Sequence, residues 1–287
     1  MHQVEPKVFL IGKTYPQYLE SANWLNELGV DGVKYFNDYV YNVEEDNGID
    51  FYENVGAKLV RLCGKQCYMS FVPGMNQNVT KVREDLGEFI ENILKVGHGS
   101  VLEHAYYSFA LENVSRVFTA EMNRHRAGMA ISEGSMRYIR LDDIPYWIPN
   151  SIQPSLLNNM TYEENKKKSE SQDIFMEVFQ FCEKKYKELQ EIWKEELLPE
   201  SKFHLKKQIT SMMRRIIPIG VATGGVWTGN IRALRHIFTM RCDESAEEEI
   251  CMVASMMLEK MVEAEPILFK DFERNEKGYY QPKYRKV

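Results

Sequence analysis

The sequence predicts a mixed α+β fold in which helices dominate, and three patterns support this class. Residues 8–12 form a short apolar run that ends in glycine, which is typical of a buried strand. Residues 82–96 carry apolar side chains three and four positions apart, which predicts an amphipathic helix ending at Gly97. Residues 104–117 alternate apolar and polar side chains, which predicts a half-buried strand.

The remaining segments extend this pattern along the chain. Helical spacing predicts further helices over residues 18–28, 54–71, 118–126, 230–240 and 245–265. The charged, periodic stretch at 161–213 predicts solvated helices, which Pro199 divides in two. We expect loops at 37–52 and 142–154, and a turn where Pro218 is followed by Gly224 and Gly225.

The composition is that of a globular protein, with 44% hydrophobic and 27% charged residues in a chain of 287. A net charge of −6 argues against binding a nucleic-acid backbone over a wide surface. An RNA-binding role is also disfavoured because no aromatic residues alternate with the basic ones. Any affinity for phosphate must therefore come from local basic clusters.

The N-terminal residues show no signal-peptide pattern, and no run of about 18 apolar residues is present. We therefore expect a soluble, cytoplasmic protein with no membrane partner. Among the five cysteines only Cys63 and Cys67 lie close together, which favours reduced structural thiols. The histidines are too scattered for a tight ligand set, so we expect no metal site.

The most informative segment runs from Arg124-His125-Arg126 to Ser135-Met136-Arg137-Tyr138. Arginine grips phosphate through a planar, permanently charged fork, and a serine hydroxyl can donate to the same oxygens. A nucleotide and a dinucleotide cofactor would both need such a cluster. The alternative is a surface of ion pairs with nearby glutamates, and composition alone leaves both interpretations open.

This segment resembles the signature of the flavin-dependent thymidylate synthases. The eight residues from Gly97 to His104 resemble the family's Gly-His-x-Ser-x-x-Glu-His element. Downstream, Arg214 with Pro218, the run from Thr228 to His236, and then Arg241 resemble the family's late core. The three blocks occur in the family's order and together cover roughly residues 57–272.

The resemblance implies a fold with helices around an antiparallel-rich sheet, and a homotetramer with active sites where subunits meet. It divides the chain into an N-terminal extension or cover at 1–55, a catalytic domain at 56–275 and a tail at 276–287. It assigns FAD to His98, Ser100, Arg124, His125, Arg126, Glu133, Asn230, Arg232 and His236. It assigns the pyrimidine nucleotide to Glu121, Glu133, Ser135, Arg137, Tyr138, Arg214 and Arg241.

The implied reaction is the FAD-dependent reductive methylation of a pyrimidine nucleotide at C5. In the family, methylenetetrahydrofolate brings the carbon and NADPH reduces the flavin. We expect dUMP as the substrate, and Arg241 and Ser135 as the catalytic residues. Arg241 would face the oxyanion that develops on the base, and Cys242 beside it is interpreted as structural.

Three features depart from the family pattern, and all fall on the pocket. The spacer between Arg126 and Ser135 has eight residues where the family has seven, and Met129 stands near a usually polar position. Position 121 usually carries glutamine, and here it is Glu121. A carboxylate such as Glu121 or Glu133 would accept a hydrogen bond from a ribose 2′-hydroxyl, which favours UMP. Another pyrimidine nucleotide and a non-catalytic flavin- or nucleotide-binding role remain as alternatives.

Overall fold

The computed structural model describes residues 1–38, 53–154 and 161–286. The helices within these ranges are α1 (Tyr18–Glu27), α2 (Gly32–Phe36), α3 (Val55–Tyr68), α4 (Leu86–Val96), α5 (Arg116–Met122), α6 (Tyr162–Ile192), α7 (Phe203–Met213), α8 (Ile231–Arg241), α9 (Glu248–Ala264) and α10 (Pro266–Phe269). The strands are β1 (His2–Gln3), β2 (Lys7–Lys13), β3 (Tyr106–Ser115), β4 (Met129–Glu133), β5 (Pro145–Tyr146), β6 (Ala222–Asn230), β7 (Phe272–Arg274) and β8 (Tyr280–Pro282). Most of the loop predicted at 37–52 lies outside the described residues.

The centre of the fold is a four-stranded sheet in the order β2-β3-β6-β4, with every neighbouring pair antiparallel. Trp227 on β6 lies opposite Phe109 on β3 and Ile131 on β4. The indole is fully buried and packs edge-on against Phe118 of α5. The predicted class, helices around an antiparallel-rich sheet, is confirmed.

Two local predictions at the sheet were wrong, and packing explains both. Residues 8–12 do form a strand, but it is the outer strand of the sheet, and Phe9 and Ile11 are 50% and 57% exposed. Gly224 and Gly225 lie within β6 instead of forming a turn. A Cβ at Gly225 would lie 2.6 Å from the carbonyl oxygen of Ser132, so glycine here permits close strand pairing.

Strand β4 was not predicted, because it lies inside the segment interpreted as a binding motif. The predicted loop at 142–154 contains the two-residue strand β5, which pairs in parallel with β1. The predicted helices at 18–28, 54–71, 82–96 and 245–265 occur with shorter bounds, and the one at 230–240 occurs one residue later, at 231–241. The division of the chain at residues 55 and 275 stays a prediction, although β2 makes N-terminal residues part of the main sheet.

Helix caps fix the elements that carry the motif residues. The Ser115 hydroxyl accepts from the backbone N–H groups of Val117 and Phe118 and starts α5 directly after β3. The Asn230 side chain accepts from the N–H of Ala233 at 2.8 Å and starts α8 directly after β6. Helix α5 therefore begins at the end of β3, and α8 begins at the end of the neighbouring strand β6.

Buried ion pairing and apolar packing hold α8 and α9 to the sheet. Arg235 on α8 is fully buried and makes two hydrogen bonds, of 2.7 and 2.8 Å, with the Asp271 carboxylate. The methionine-rich face of the last long helix is buried at Met257 and Met261 of α9. None of the described helices combines the length and apolar character needed to span a bilayer.

Candidate functional site

The C-terminal end of α8 meets the C-terminal end of α5 at an arginine-centred group. The Arg241 guanidinium donates through Nε to Nε2 of His125 at 3.0 Å. Its Nη1 donates to Oε2 of Glu121 at 2.7 Å in a partly exposed ion pair. His236, one turn earlier on α8, places its ring 5.9 Å from that of His125. We call these four residues the Arg241 group.

The electrostatics of this group keep His125 neutral at physiological pH. Burial, followed by the positive charge of Arg241 and then by His236, lowers the pKa of His125 to about 4. Because Nε2 accepts the hydrogen bond from Arg241, the ring proton lies on Nδ1. Because His125 is uncharged, Glu121 is the one anionic partner of Arg241 within this group.

Glu133, the last residue of β4, belongs to a second hydrogen-bond network. Arg116 donates one hydrogen bond to a Glu133 carboxylate oxygen and another, 2.7 Å long, to the backbone oxygen of Gly134. The other Glu133 oxygen accepts from Asn123 Nδ2 at 2.9 Å, and Trp227 donates to Asn123 Oδ1 at 3.0 Å. Both carboxylate oxygens are therefore engaged within the chain.

The N-terminus of α8 lies against the segment after α4 through unusually close approaches. A Cβ at Gly99 would lie 2.9 Å from Nε of Arg232, whose guanidinium pairs with Glu103 at 2.6 Å. Gly128 has a φ of +71°, and a Cβ there would lie 2.5 Å from Nδ2 of Asn230. In this cradle of loops glycine is thus required at Gly128, whereas a larger residue at Gly99 would need the half-exposed Arg232 side chain to shift.

The polar groups of this cradle include a buried atom without a partner. Nδ1 of His98 is inaccessible and has no hydrogen-bond partner among the described residues. Its ring lies edge-on to Tyr68, 5.7 Å away. Ser100, which precedes β3, and Arg124 and Arg126, which follow α5, are all exposed. We call the cradle, from Gly97 to Ser100 and from Arg124 to Gly128 with the start of α8, the α8 cradle.

A third feature is a basic pocket of about 530 Å³ between the 135–138 turn and α7. Its charged or titratable lining residues are Arg137, His204, Lys207 and Arg215, and no carboxylate lines it. Lys207 places its ammonium 5.1 Å from the centre of the Tyr138 ring, and Phe203 stacks on the same ring. The buried Ser211 hydroxyl in the pocket has no partner among the described residues.

The structure separates the residues that the sequence grouped together. Ser135 forms the turn that positions Arg137 and Tyr138, with its carbonyl oxygen accepting from Tyr138 N–H at 3.0 Å. Arg214 is exposed in a short 3-10 helix, while its neighbour Arg215 lines the basic pocket. No hydrogen bond or ion pair within the described part of the chain joins the basic pocket to the Arg241 group.

Several residues of these groups were not predicted from the sequence. His204, Lys207 and Arg215 stand in the charged segment interpreted as solvated helix, and nothing in that pattern marks them. Arg116 and Asn123 flank α5 and were not connected with Glu133. The signal that could have found the pocket residues is the excess of cations at 202–215, where no acidic residue occurs.

Cys242 follows Arg241 directly but is fully buried. Burial raises the pKa of its thiol to about 12, so the thiolate needed for attack on a base is scarce. Burial likewise raises the pKa of Cys63 to about 11. Among the residues that the structure describes, no cluster of three or more histidine, cysteine or acidic side chains is arranged to hold a metal ion.

The fold of this chain is similar to that of two solved structures of a nucleotide methylase. Two solved structures of the UMP/dUMP methylase PolB from Streptomyces cacaoi, one with 5-Br dUMP and one with 5-Br UMP, share the fold. Their TM-scores are 0.60 and 0.58 at 14% and 13% identity. The first superposition covers 94% of this chain and 96% of that one, and the second covers 93% and 92%.

Sequence comparison establishes the family. Residues 51–267 match the family model described as "Thymidylate synthase complementing protein". The flavin-dependent thymidylate synthases of Mycolicibacterium vanbaalenii and Mycolicibacterium gilvum are 34% and 33% identical to this chain, each over 76% of it and 80% of the relative. The chain belongs to the flavin-dependent thymidylate synthase family, a family of methyltransferases that depend on flavin.

Proposed function

We propose that this protein uses FAD to methylate a pyrimidine nucleotide reductively at C5, converting dUMP to dTMP. Methylenetetrahydrofolate would supply the carbon and NADPH the reducing equivalents. The observation that carries the proposal is the Arg241 group, a charged guanidinium held between a carboxylate and a neutral imidazole. Such a fixed cation suits the stabilisation of charge on O4 when C5 of the base becomes nucleophilic.

The α8 cradle fits a flavin dinucleotide. It combines the N-terminus of α8, which is a helix of eleven residues, with exposed arginines for a pyrophosphate and the unpartnered His98 Nδ1. We propose that His98, Ser100, Arg124, Arg126, Asn230 and Arg232 hold FAD, with His125 and His236 at the border with the Arg241 group. When bound, the flavin supplies the hydride that turns the transferred methylene into a methyl group.

The basic pocket suits the phosphate of the nucleotide. Arg137 and Arg215 offer forked donors, and Lys207 offers a point charge, with no carboxylate in the lining. We therefore propose Ser135, Arg137, Tyr138 and Arg214 as nucleotide-binding residues, and we add Lys207 and Arg215. Ser135 and Arg241 stay the proposed catalytic residues, while Glu133 positions the turn through Arg116.

A homotetramer with active sites between subunits completes this arrangement. No hydrogen bond or ion pair among the described residues joins the Arg241 group to the basic pocket of the same chain. In the proposed tetramer, a nucleotide that engages Arg241 at its base and Arg137 at its phosphate would draw the two groups from different subunits. The resemblance of the motif blocks to the family supports this proposal of shared active sites.

UMP is a second candidate, favoured by Glu121. Oε2 of Glu121 accepts from Arg241, whereas Oε1 accepts no hydrogen bond within the described residues. A carboxylate oxygen left in this state suits a ribose 2′-hydroxyl, which only UMP offers. The structural likeness to PolB, whose name covers both UMP and dUMP, is compatible with either nucleotide.

Reoxidation of the bound flavin tests the proposed function. The purified protein is loaded with FAD, reduced with NADPH without oxygen, and followed by absorbance at the flavin band. We expect reoxidation only when methylenetetrahydrofolate and dUMP or UMP are both present. Flavin that stays reduced with every combination would instead identify a non-catalytic flavin-binding protein.

A further inference from the structure

The long helix α6 presents an apolar face that the described chain leaves about half exposed. Its inner side is anchored by the buried residues Phe179 and Tyr186. On the neighbouring side, Ile174, Phe175, Val178 and Phe181 are 62%, 42%, 48% and 60% exposed. These four residues recur at intervals of three and four and so form one continuous stripe, here called the α6 stripe.

An apolar cavity of about 470 Å³ opens beside this stripe. Ile174, Phe175 and Val178 line one side, and Trp147 and Ile219 line the other. Ile219 is itself 63% exposed, and the buried indole Nε1 of Trp147 has no acceptor among the described residues. Stripe and cavity together form a contiguous apolar surface of the kind that marks a protein–protein contact.

We propose that a second copy of this chain covers the α6 stripe, with the two α6 helices antiparallel and their two-fold axis beside Val178. The proposal gives a surface to the homo-oligomer proposed above, but it does not depend on the reaction. In a two-fold contact each residue i that meets j is matched by j meeting i. The sequence of α6 must therefore be complementary to itself about its centre.

Two pairs of positions in α6 meet this requirement around Val178. Phe175 and Phe181 lie three residues on either side of it, so each ring would face the other ring of the second copy. Ten residues away on either side stand Lys168 and Glu188, which have opposite charge. The antiparallel pair would therefore place two aromatic contacts at the centre and two ion pairs at its ends.

The size of the surface agrees with a stable dimer contact. At roughly 100 Å² for each exposed side chain of the stripe and for Ile219, the apolar part amounts to about 500 Å². A specific interface buries about 800 Å² per partner. The rest of the contact area would come from other residues of α6, a helix of 31 residues that is about 46 Å long. Phe181 of the second copy, facing Phe175, would also occupy the mouth of the cavity.

A disulfide test uses a cysteine that the chain already has. The proposed axis places Ile174 opposite Cys182 of the second copy, since both lie four residues from Val178. In a Cys67→Ser background, which removes the exposed thiol, we expect Ile174→Cys to form a covalent dimer on mild oxidation. The dimer band on a non-reducing gel should exceed that of Asp173→Cys at least tenfold, because position 173 faces about 100° away.

Three further variants identify the thiol that is cross-linked and the face of α6 that makes the contact. Adding Cys182→Ser to Ile174→Cys should abolish the dimer band if Cys182 is the partner thiol. Phe181→Glu should lower the sedimentation-equilibrium mass, whereas Gln180→Glu, on the solvent side, should not. A monomeric wild type, or no cross-link with Ile174→Cys, would overturn the proposal. Neither measurement needs flavin or nucleotide, so a failure of the surface is distinguishable from a failure of the proposed reaction.

Discussion

The guanidinium of Arg241 donates to the ring of His125 at 3.0 Å, although 116 residues separate them. This bond joins the last residue of α8 to the loop after α5, and it places the ring proton of His125 on Nδ1. Burial, followed by the nearby charge of Arg241, keeps the histidine of the Arg-His-Arg motif uncharged beside two arginines. The motif thus presents its neighbouring cations to a ligand while the central ring serves to orient Arg241.

The first prediction concerns the titration of His125. Replacing Arg241 by glutamine removes a nearby positive charge, so the pKa of His125 should rise from about 4 while burial still holds it below 6.5. Histidine NMR titration of the ligand-free protein measures this directly. The variant Arg124→Gln, which removes an exposed arginine of the same motif, should leave the titration unchanged. A His125 that titrates near 6.5 in the wild type would contradict the described contact.

The lowered pKa of His125 also has a consequence for the stability of the fold. The folded-state pKa of His125 lies below its unfolded value of about 6.5, so the unfolded chain takes up a proton first as the pH falls. His125 therefore destabilises the folded protein progressively from pH 6.5 down to about 4. In urea unfolding, the free energy of wild type relative to His125→Gln should decrease as the pH falls through this window.

The second prediction concerns substrate choice by Glu121. Glu121→Gln keeps the shape of the side chain but removes the charge that would attract a ribose 2′-hydroxyl. We expect the ratio of kcat/KM for UMP to that for dUMP to fall about tenfold, since a hydrogen bond to a charged group contributes roughly 1.5 kcal/mol. Glu263→Gln, which breaks the surface ion pair with Lys260, is the matched control. An unchanged ratio would remove Glu121 from the determinants of specificity.

The sequence motifs indicate local structure at the site better than they indicate which side chains contact each other. Asn230 starts a helix and Gly128 forms a tight turn, and both are local properties of the chain. The pairing of Glu121 with Arg241 spans 120 residues, and no local pattern encodes which carboxylate meets which cation. For the same reason the engagement of Glu133 by Arg116 followed only from the structure.

The sheet shows a similar division between local and tertiary information. The alternation at 104–117 predicts β3 because one face of that strand is buried. The Gly224-Gly225 pair has a local preference for turns, but the close approach of β4 and Glu112 places it in a strand. Edge position likewise decides that the apolar residues of β2 are exposed, which their sequence alone does not reveal.

The third prediction concerns Glu249 at the start of α9. This buried carboxylate accepts from the backbone N–H and the hydroxyl of Ser115, yet burial raises its pKa to about 7. Between the unfolded value of about 4.5 and 7 the folded state retains a proton that the unfolded state releases, so this residue lowers stability as the pH rises. Above pH 7 the full cost is reached, at most about 3 kcal/mol.

Glu249→Gln removes the titrating proton while leaving one acceptor for Ser115. The free energy of unfolding of this variant relative to wild type should therefore increase between pH 5 and pH 8 and then become constant. Chemical denaturation at several pH values measures the difference. A difference that does not vary with pH would show that Glu249 is ionised in the folded protein at pH 5 as well.

The fourth prediction concerns the phosphate in the basic pocket. Lys207→Gln removes the ammonium beside Tyr138, and we expect the Kd for dUMP to rise about tenfold, as for the loss of one charge-assisted contact of roughly 1.4 kcal/mol. Binding of deoxyuridine, which has no phosphate, should be unchanged by calorimetry. Lys184→Gln on α6 is a control with the same charge change outside the pocket. Equal weakening of both ligands would place the effect of Lys207 on the fold instead of the phosphate.

The measurement that bears most directly on the proposed function is an anaerobic competition assay. The protein receives FAD, NADPH and methylenetetrahydrofolate with equal amounts of dUMP and UMP, and the products are identified by mass spectrometry. We expect a nucleotide that is heavier than its substrate by one methylene unit. Methylated dUMP is the main product expected. Methylated UMP would form instead if Glu121 selects a ribose with a 2′-hydroxyl. Absence of any methylated nucleotide, with flavin bound and reduced, would contradict the proposed function.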